Sequence, residues 1–238
     1  MKKWIVWGSL AIVASMSACD SDNDKLNAIT VVESQFETTV ENWTGAFAEY
    51  STATDTASLE MRFYRARLPA LLDSTKYGLR MQGNNRSDDM FMYLRKKVSG
   101  LVPNRNYVVS YDINLGTSYG NSGIGAGGSQ GTSGYLKAGA SPIEPVPTLV
   151  NGFYTVNIDK GIQSESGKEM VVLGNVANGL DTDKYALVSR SNRDNPVPVK
   201  ANANGEIWLC VGTDSGSEGL TVLYYDKIKA TITESSAN

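Results

Sequence analysis

The chain has 238 residues, 22 basic against 25 acidic side chains for a formal charge of −3, and no histidine. The lack of histidine excludes Ser-His-Asp and Cys-His catalysis as usually built and His-ligated zinc. The acidic balance excludes the basic face that nucleic acid requires.

The first 18 residues read as a signal peptide. Lys2 and Lys3 form a positive start, and residues 4–16 are apolar apart from Gly8, Ser9 and Ser15. A spanning helix needs ~20 apolar residues, so this run is too short to span and suits a signal core. Met16-Ser17-Ala18 before Cys19 resembles the bacterial lipobox, with Met where Leu is usual. The resemblance implies that Cys19 becomes the lipidated first residue, carrying palmitate and holding the protein to the membrane.

Residues 19–32 read as the lipidated cysteine and an acidic tether. Asp20, Asp22 and Asp24 cannot bury themselves and stay solvated. The run also resembles the acidic export signal on surface lipoproteins of some Gram-negative bacteria. That likeness implies a place on the outer membrane facing the cell surface. A plain spacer is the alternative.

Residues 33–238 read as one all-β domain, a jelly-roll-type β-sandwich. The 41% hydrophobic content is enough for one full core. "SLEMRFYRARLP", "MFMYLRKKV" and "NYVVSYDIN" alternate apolar with polar residues. "GFYTVNID", "KEMVVLG", "KYALVSR", "GEIWLCVG", "LTVLYY" and "DKIKATI" are short β-rich runs. Each is bounded by Gly, Pro, Asn, Asp or Ser, as strands are, and many short strands with turn signals suit a sandwich or jelly roll. Asn204-Gly205, between "PVPVKA" and "EIWLCV", predicts a type I′ hairpin. Tyr107 reads as a corner tyrosine, and Cys210, inside "IWLCVG", as a buried small hydrophobe.

Residues 116–134, "GTSYGNSGIGAGGSQGTSG", hold eight of the 23 glycines. Both G-x-S-x-G matches lack a base for Ser118 or Ser129 and a following helix. The G-x-G-x-x-G of Gly123, Gly125 and Gly128 fails the same context test, so no nucleotide site is expected. The stretch reads as a long loop between two strands, whose partial deletion should cost little stability. Loops this long are functional or disordered. As a binding loop it would offer the Tyr119 ring, with an apolar face and polar tip, and the amides of Asn121 and Gln130. A disordered connector is the alternative.

"QFETTVENWTG", "GLVPNRNYVVSYDI" and "LTVLYYDKIKATI" resemble the opening strand, the corner and strand, and the closing strand of carbohydrate-binding modules with the galactose-binding-like jelly roll. "NNRSDDMFMYLRKKVSGL", "YLKAGASPIEPVP" and "GTDSGSEG" resemble a group of exported bacterial proteins, a likeness that brings no function with it. The first resemblance implies a glycan partner and a structural calcium between the opening and closing strands. Glu37 and Asp226 match the acidic positions of those two motifs. Exposed strand-end charges are the alternative.

In "NNRSDD", the side chains of Asn84, Asn85, Asp88 and Asp89 suit sugar hydroxyls or an ion, and equally a turn. No strand-borne carboxylate set of a β-sandwich glycosidase is present, so no enzymatic activity is expected. A lipoprotein docking onto another envelope protein is the competing reading; a broad apolar patch would mark it.

Overall fold

The computed structural model describes residues 28–87, 89–123 and 126–235. The signal peptide, Cys19, most of the tether, Asp88 and Gly125 lie outside the described residues. Among the described residues no helix is long and apolar enough to cross a membrane.

The strands are β1 (Ile29–Ser34), β2 (Thr44–Ala48), β3 (Tyr50–Ser51), β4 (Arg62–Arg67) and β5 (Tyr77–Asn85). They continue as β6 (Met90–Val98), β7 (Asn106–Thr117), β8 (Gly134–Ser141), β9 (Pro147–Val150) and β10 (Phe153–Val156). The chain closes with β11 (Met170–Asn175), β12 (Ala186–Ser191), β13 (Val197–Lys200), β14 (Ile207–Ser215) and β15 (Gly219–Glu234). β1 starts within the stretch expected to be tether, because Ile29–Ser34 pairs with the far half of β15.

The strand pairings among the described residues are antiparallel and build a jelly-roll-type sandwich. The first sheet runs β12-β7-β15-β5-β4, with β13 extending the outer edge of β7 and β1 pairing β15. The second runs β11-β8-β14-β6-β2. Alternation decides the faces. Along β7, Tyr107, Val109, Tyr111, Ile113 and Leu115 point inward, and along β14 Ile207, Leu209 and Val211 meet them. Each fully buried side chain of this size is worth about 1.5–3 kcal/mol. The Tyr107 hydroxyl accepts the Val102 N–H at 2.9 Å, a tyrosine corner.

The outer face of the second sheet is also covered. Phe91, Tyr93 and Cys210 point away from the main core and pack with Ala48, Val156, Ile158 and Met170 in a second apolar cluster. The cover is residues 142–169, whose strands β9 and β10 form a small sheet with β3. The cover lies so close that a Cβ on Gly139 would sit 1.8 Å from the Glu169 carbonyl oxygen.

Three expectations change. Asn204-Gly205 makes no hairpin: β13 pairs with β7 and β14 with β6 and β8. Gly205 alone takes positive φ, and the turn carries the chain from one sheet to the other. The opening motif "QFETTVENWTG" is not a strand. Its residues 35–43 form the turn between β1 and β2, with Phe36 at φ 63° and buried, and only Thr44 and Gly45 enter β2. "LTVLYY" and "DKIKATI" are one strand, β15, whose register slips between Tyr225 and Lys227.

Candidate functional site

β7 pairs with β15 only from Gly116 opposite Tyr224 onward. The first residues of β15 therefore lack a strand on that side, and the glycine loop, residues 118–133, supplies one in side-chain form. The Tyr119 hydroxyl accepts the Val222 N–H at 2.6 Å and donates to the Leu220 carbonyl at 3.2 Å. Gln130 Nε2 donates to the same carbonyl at 2.9 Å. Burial pushes the Tyr119 phenol up to about 12, although the Val222 N–H favours the charged form, so it is neutral at physiological pH.

The loop is clamped from both sides. On one, the Gly120 N–H donates to Asp183 Oδ1 at 2.9 Å, the Asn121 N–H to the Leu180 carbonyl at 2.7 Å, and the Asn178 N–H to the Tyr119 carbonyl at 2.8 Å. On the other, the Glu218 N–H donates to the Ala126 carbonyl at 2.9 Å and Ser217 Oγ to the Gly128 carbonyl at 3.1 Å. Glycine permits this approach: a Cβ on Gly131 would lie 2.5 Å from the Gly120 carbonyl oxygen. The expectation of a loop free of packing, removable at little cost, is corrected. Backbone donors and acceptors in a Gly/Ser chain must be paired somewhere, and here several are paired to Ser217 and Glu218, just before β15, and to residues 178–183.

Between the clamps lies a cleft of about 280 Å³ lined by Tyr119, Ser129, Gln130, Asp183 and Glu218, with Gly120, Gly123 and Gly131. Asp183 and Glu218 are exposed. Their carboxylates are acceptors only, and the tyrosine beside them adds an aromatic wall. Next to it, on the outer face of the first sheet, Tyr64, Arg80 and Tyr224 stand opposite one another across β4, β5 and β15. The Arg80 guanidinium is 5.3 Å from the Tyr64 ring and 6.0 Å from the Tyr224 ring. Tyr185, two residues from Asp183, meets Tyr224 edge-on at 5.7 Å. Asp183, Glu218 and this aromatic row are not legible as a site in the sequence, because three separate connections bring them together.

The other candidates divide. Asn121 is exposed and its backbone is tied to Leu180. Asn84 and Asn85 end β5 and are buried: Asn84 Nδ2 donates to Glu60 Oε1 at 3.1 Å, and Asn85 Nδ2 to the carbonyls of Ser215 and Ser217 at 2.9 and 3.1 Å. These two serve the fold. Asp89 faces a different cleft, with Glu49 and Lys160.

Glu37 and Asp226 do meet. Both line a cleft with Gln35, Asn114, Lys76 and Lys227. Asp226 sits at the slip in β15, where its neighbour changes from β5 to β1. Burial raises the Asp226 carboxyl, and Glu37 adds to this against Asn114, Lys76 and Lys227. Calcium takes six to eight oxygens. Here one oxygen of Glu37 already accepts the Tyr77 N–H at 3.3 Å, two ammonium groups line the cleft, and among the described residues no group of three or more His, Cys, Asp or Glu is placed to hold a metal ion. The donor set does not fit calcium.

No family model matches the chain, and no curated protein matches it. Among solved structures it is similar to the K1 adhesin domain of Lys-gingipain from Porphyromonas gingivalis, at 9% identity and TM-score 0.38 over 87% of this chain and 99% of that one. It is similar to a carbohydrate-binding module that recognises mannan, at 11% identity and TM-score 0.38 over 88% and 99%. A third is the family 11 carbohydrate-binding module of a Clostridium thermocellum cellulosomal cellulase, at 8% identity and TM-score 0.36 over 89% and 97%. At such values these likenesses carry no argument about what this chain binds.

Proposed function

We propose that this is a cell-envelope lipoprotein whose sandwich is a non-catalytic glycan-binding module. The carrying observation is the cleft that sets the Tyr119 ring beside the exposed carboxylates of Asp183 and Glu218. A sugar presents hydroxyl donors around an apolar ring face. Carboxylates take the first through charge-assisted hydrogen bonds, and an aromatic wall takes the second. The clamped loop fixes these groups before a ligand arrives, which lowers the ordering cost of binding.

The anchor is Cys19, and the protein sits on the outer membrane with its sandwich toward the cell surface. One acyl chain binds a membrane only marginally, while two or more hold it stably. Cys19→Ala abolishes incorporation of labelled palmitate; retained label overturns the anchor.

The Cys19→Ala protein, free of lipid, is the form to screen on a glycan array. A binder that loses affinity tenfold or more in both Asp183→Asn and Glu218→Gln, with an unchanged melt, supports the site. A glycan bound equally by both variants places recognition elsewhere. No bound glycan at all overturns the reading.

A further inference from the structure

A second cluster lies beneath the cover of the second sheet, lined by other residues than the glycan cleft and independent of that proposal. Lys137 on β8 and Asp214 on β14 are neighbours on adjacent strands and both are fully buried. Lys137 Nζ lies 2.9 Å from Asp214 Oδ2. The same nitrogen donates to the carbonyls of Lys160 at 2.9 Å and Glu165 at 3.0 Å, which fix its position. Asp214 Oδ2 also accepts Lys160 Nζ at 2.8 Å and the Gln163 N–H at 3.0 Å. Its other oxygen, Oδ1, is buried without a partner, and so is Oδ1 of Asp89. Asp89 immediately precedes β6, the other neighbour of β14, and its carboxyl interacts directly with that of Asp214.

We propose that Lys137 and Asp214 join through an intramolecular isopeptide bond, with Asp89 carrying the protons. A plain ion pair explains the contact at Oδ2 but leaves two buried carboxyl oxygens facing no donor. A proton on Asp89 or Asp214 supplies one, and it is also the proton that condensation needs.

The parts match the chemistry. Burial lowers the Lys137 ammonium, although Asp214 opposes this, and burial pushes the Asp89 carboxyl up to about 7. Burial works to raise the Asp214 carboxyl, but the Lys160 and Lys137 ammonium groups outweigh it and hold that carboxyl below its ordinary value. The Lys137 proton therefore passes to Asp89, which hands it to the unpartnered Asp214 Oδ1, while Oδ2 stays bound to Lys160 and the Gln163 N–H. Amine and acid are then both neutral, which lessens the cost of burying charge. The amine nitrogen then attacks Asp214 Cγ and the C–N bond forms. Negative charge developing on Oδ2 is met by Lys160 and the Gln163 N–H, as in an oxyanion hole. Asp89 takes a proton from the nitrogen and delivers one to the departing oxygen. One C–O bond breaks, one water leaves, and Asp89 ends as it began. No oxidant, cofactor or activated donor enters, because holding amine and acid in contact replaces the bimolecular encounter.

Lys137 is the nucleophile rather than Lys160 because it stands on a strand, with no exposure. Lys160 lines the open cleft beside Glu49 and Asp89. The product staples β8 to β14 in the middle of the second sheet.

Intact-mass measurement of the full Cys19→Ala chain in denaturant decides the matter. The expected mass is one water below that of the unreacted chain, with a branched proteolytic fragment joining the Lys137 and Asp214 peptides. Lys137→Arg and Asp89→Ala restore the full mass. An unreacted mass in the Cys19→Ala chain, with Lys137, Asp214 and Asp89 all in place, overturns the proposal. A branch at Lys160 overturns the assignment to Lys137. Loss of water undiminished in Asp89→Ala removes Asp89 from the step.

Discussion

The Tyr119 hydroxyl stands 2.6 Å from the Val222 backbone nitrogen and takes its N–H, across a separation of 103 residues. One phenol thereby does what the next rung of a strand would do, and it holds a sixteen-residue glycine-rich loop against the last strand.

Tyr119→Phe keeps the ring and leaves the Val222 N–H without its acceptor. An unpaired buried donor costs about 1–3 kcal/mol, and each kcal/mol lowers Tm by about 2–4 °C in a domain of this size. A drop of several degrees is expected by calorimetry. Replacing residues 118–131 with a short Gly-Ser link removes both clamps and should lower the melt further. A normal melt in the replacement would return the segment to a simple connector.

Asp226 separates two accounts of its cleft by the sign of one substitution. Folding raises its pKa, chiefly through burial. Such an acid binds its proton more tightly folded than unfolded. It has no effect on stability below the unfolded value of about 3.9 and opposes folding increasingly as pH rises above it. Asp226→Asn should therefore raise Tm at neutral pH, with the gain vanishing near pH 4, and chelator should leave the unsubstituted melt unchanged. Bound calcium would reverse both results, since a cation would hold the carboxylate charged and its removal would destabilise the fold.

Cys210 is fully buried in the apolar cluster under the cover, and burial pushes its thiol well above the ordinary range. The thiolate is the reactive form. A thiol reagent should leave the native protein unmodified and react stoichiometrically in denaturant. Rapid native labelling would show that residues 142–169 open readily. Cys210→Ser places a hydroxyl among Phe91, Tyr93 and Val156 and should cost about 1–3 kcal/mol, read as a lower Tm.

Much of the sandwich was legible beforehand. Period-two alternation in "NYVVSYDIN" and "MFMYLRKKV" reports which side chains share a face, because a strand must bury one side. Tyr107 was legible as a corner for a similar reason: its partner, Val102, is five residues away. The Asn204-Gly205 dipeptide signals a hairpin that the fold does not make, because a dipeptide reports local backbone shape and not which sheet receives the next strand. A different Asn-Gly, Asn151-Gly152, makes the two-residue hairpin, with both residues at positive φ between β9 and β10.

The amino-acid sequence by itself determined the strand content and the absence of histidine chemistry, since each depends on composition or on neighbours a few positions apart. Tertiary structure decided what covers each face and which polar groups meet. Periodicity marks Phe91 and Tyr93 as facing away from Met90 and Met92, but only the folded chain lays residues 142–169 over them. Glycines suggest mobility until their backbone groups find partners, and those of the loop lie on Ser217 and Glu218 and on residues 178–183. Lys137 and Asp214 are 77 residues apart, and the pairing of β8 with β14 is what seals them together away from water.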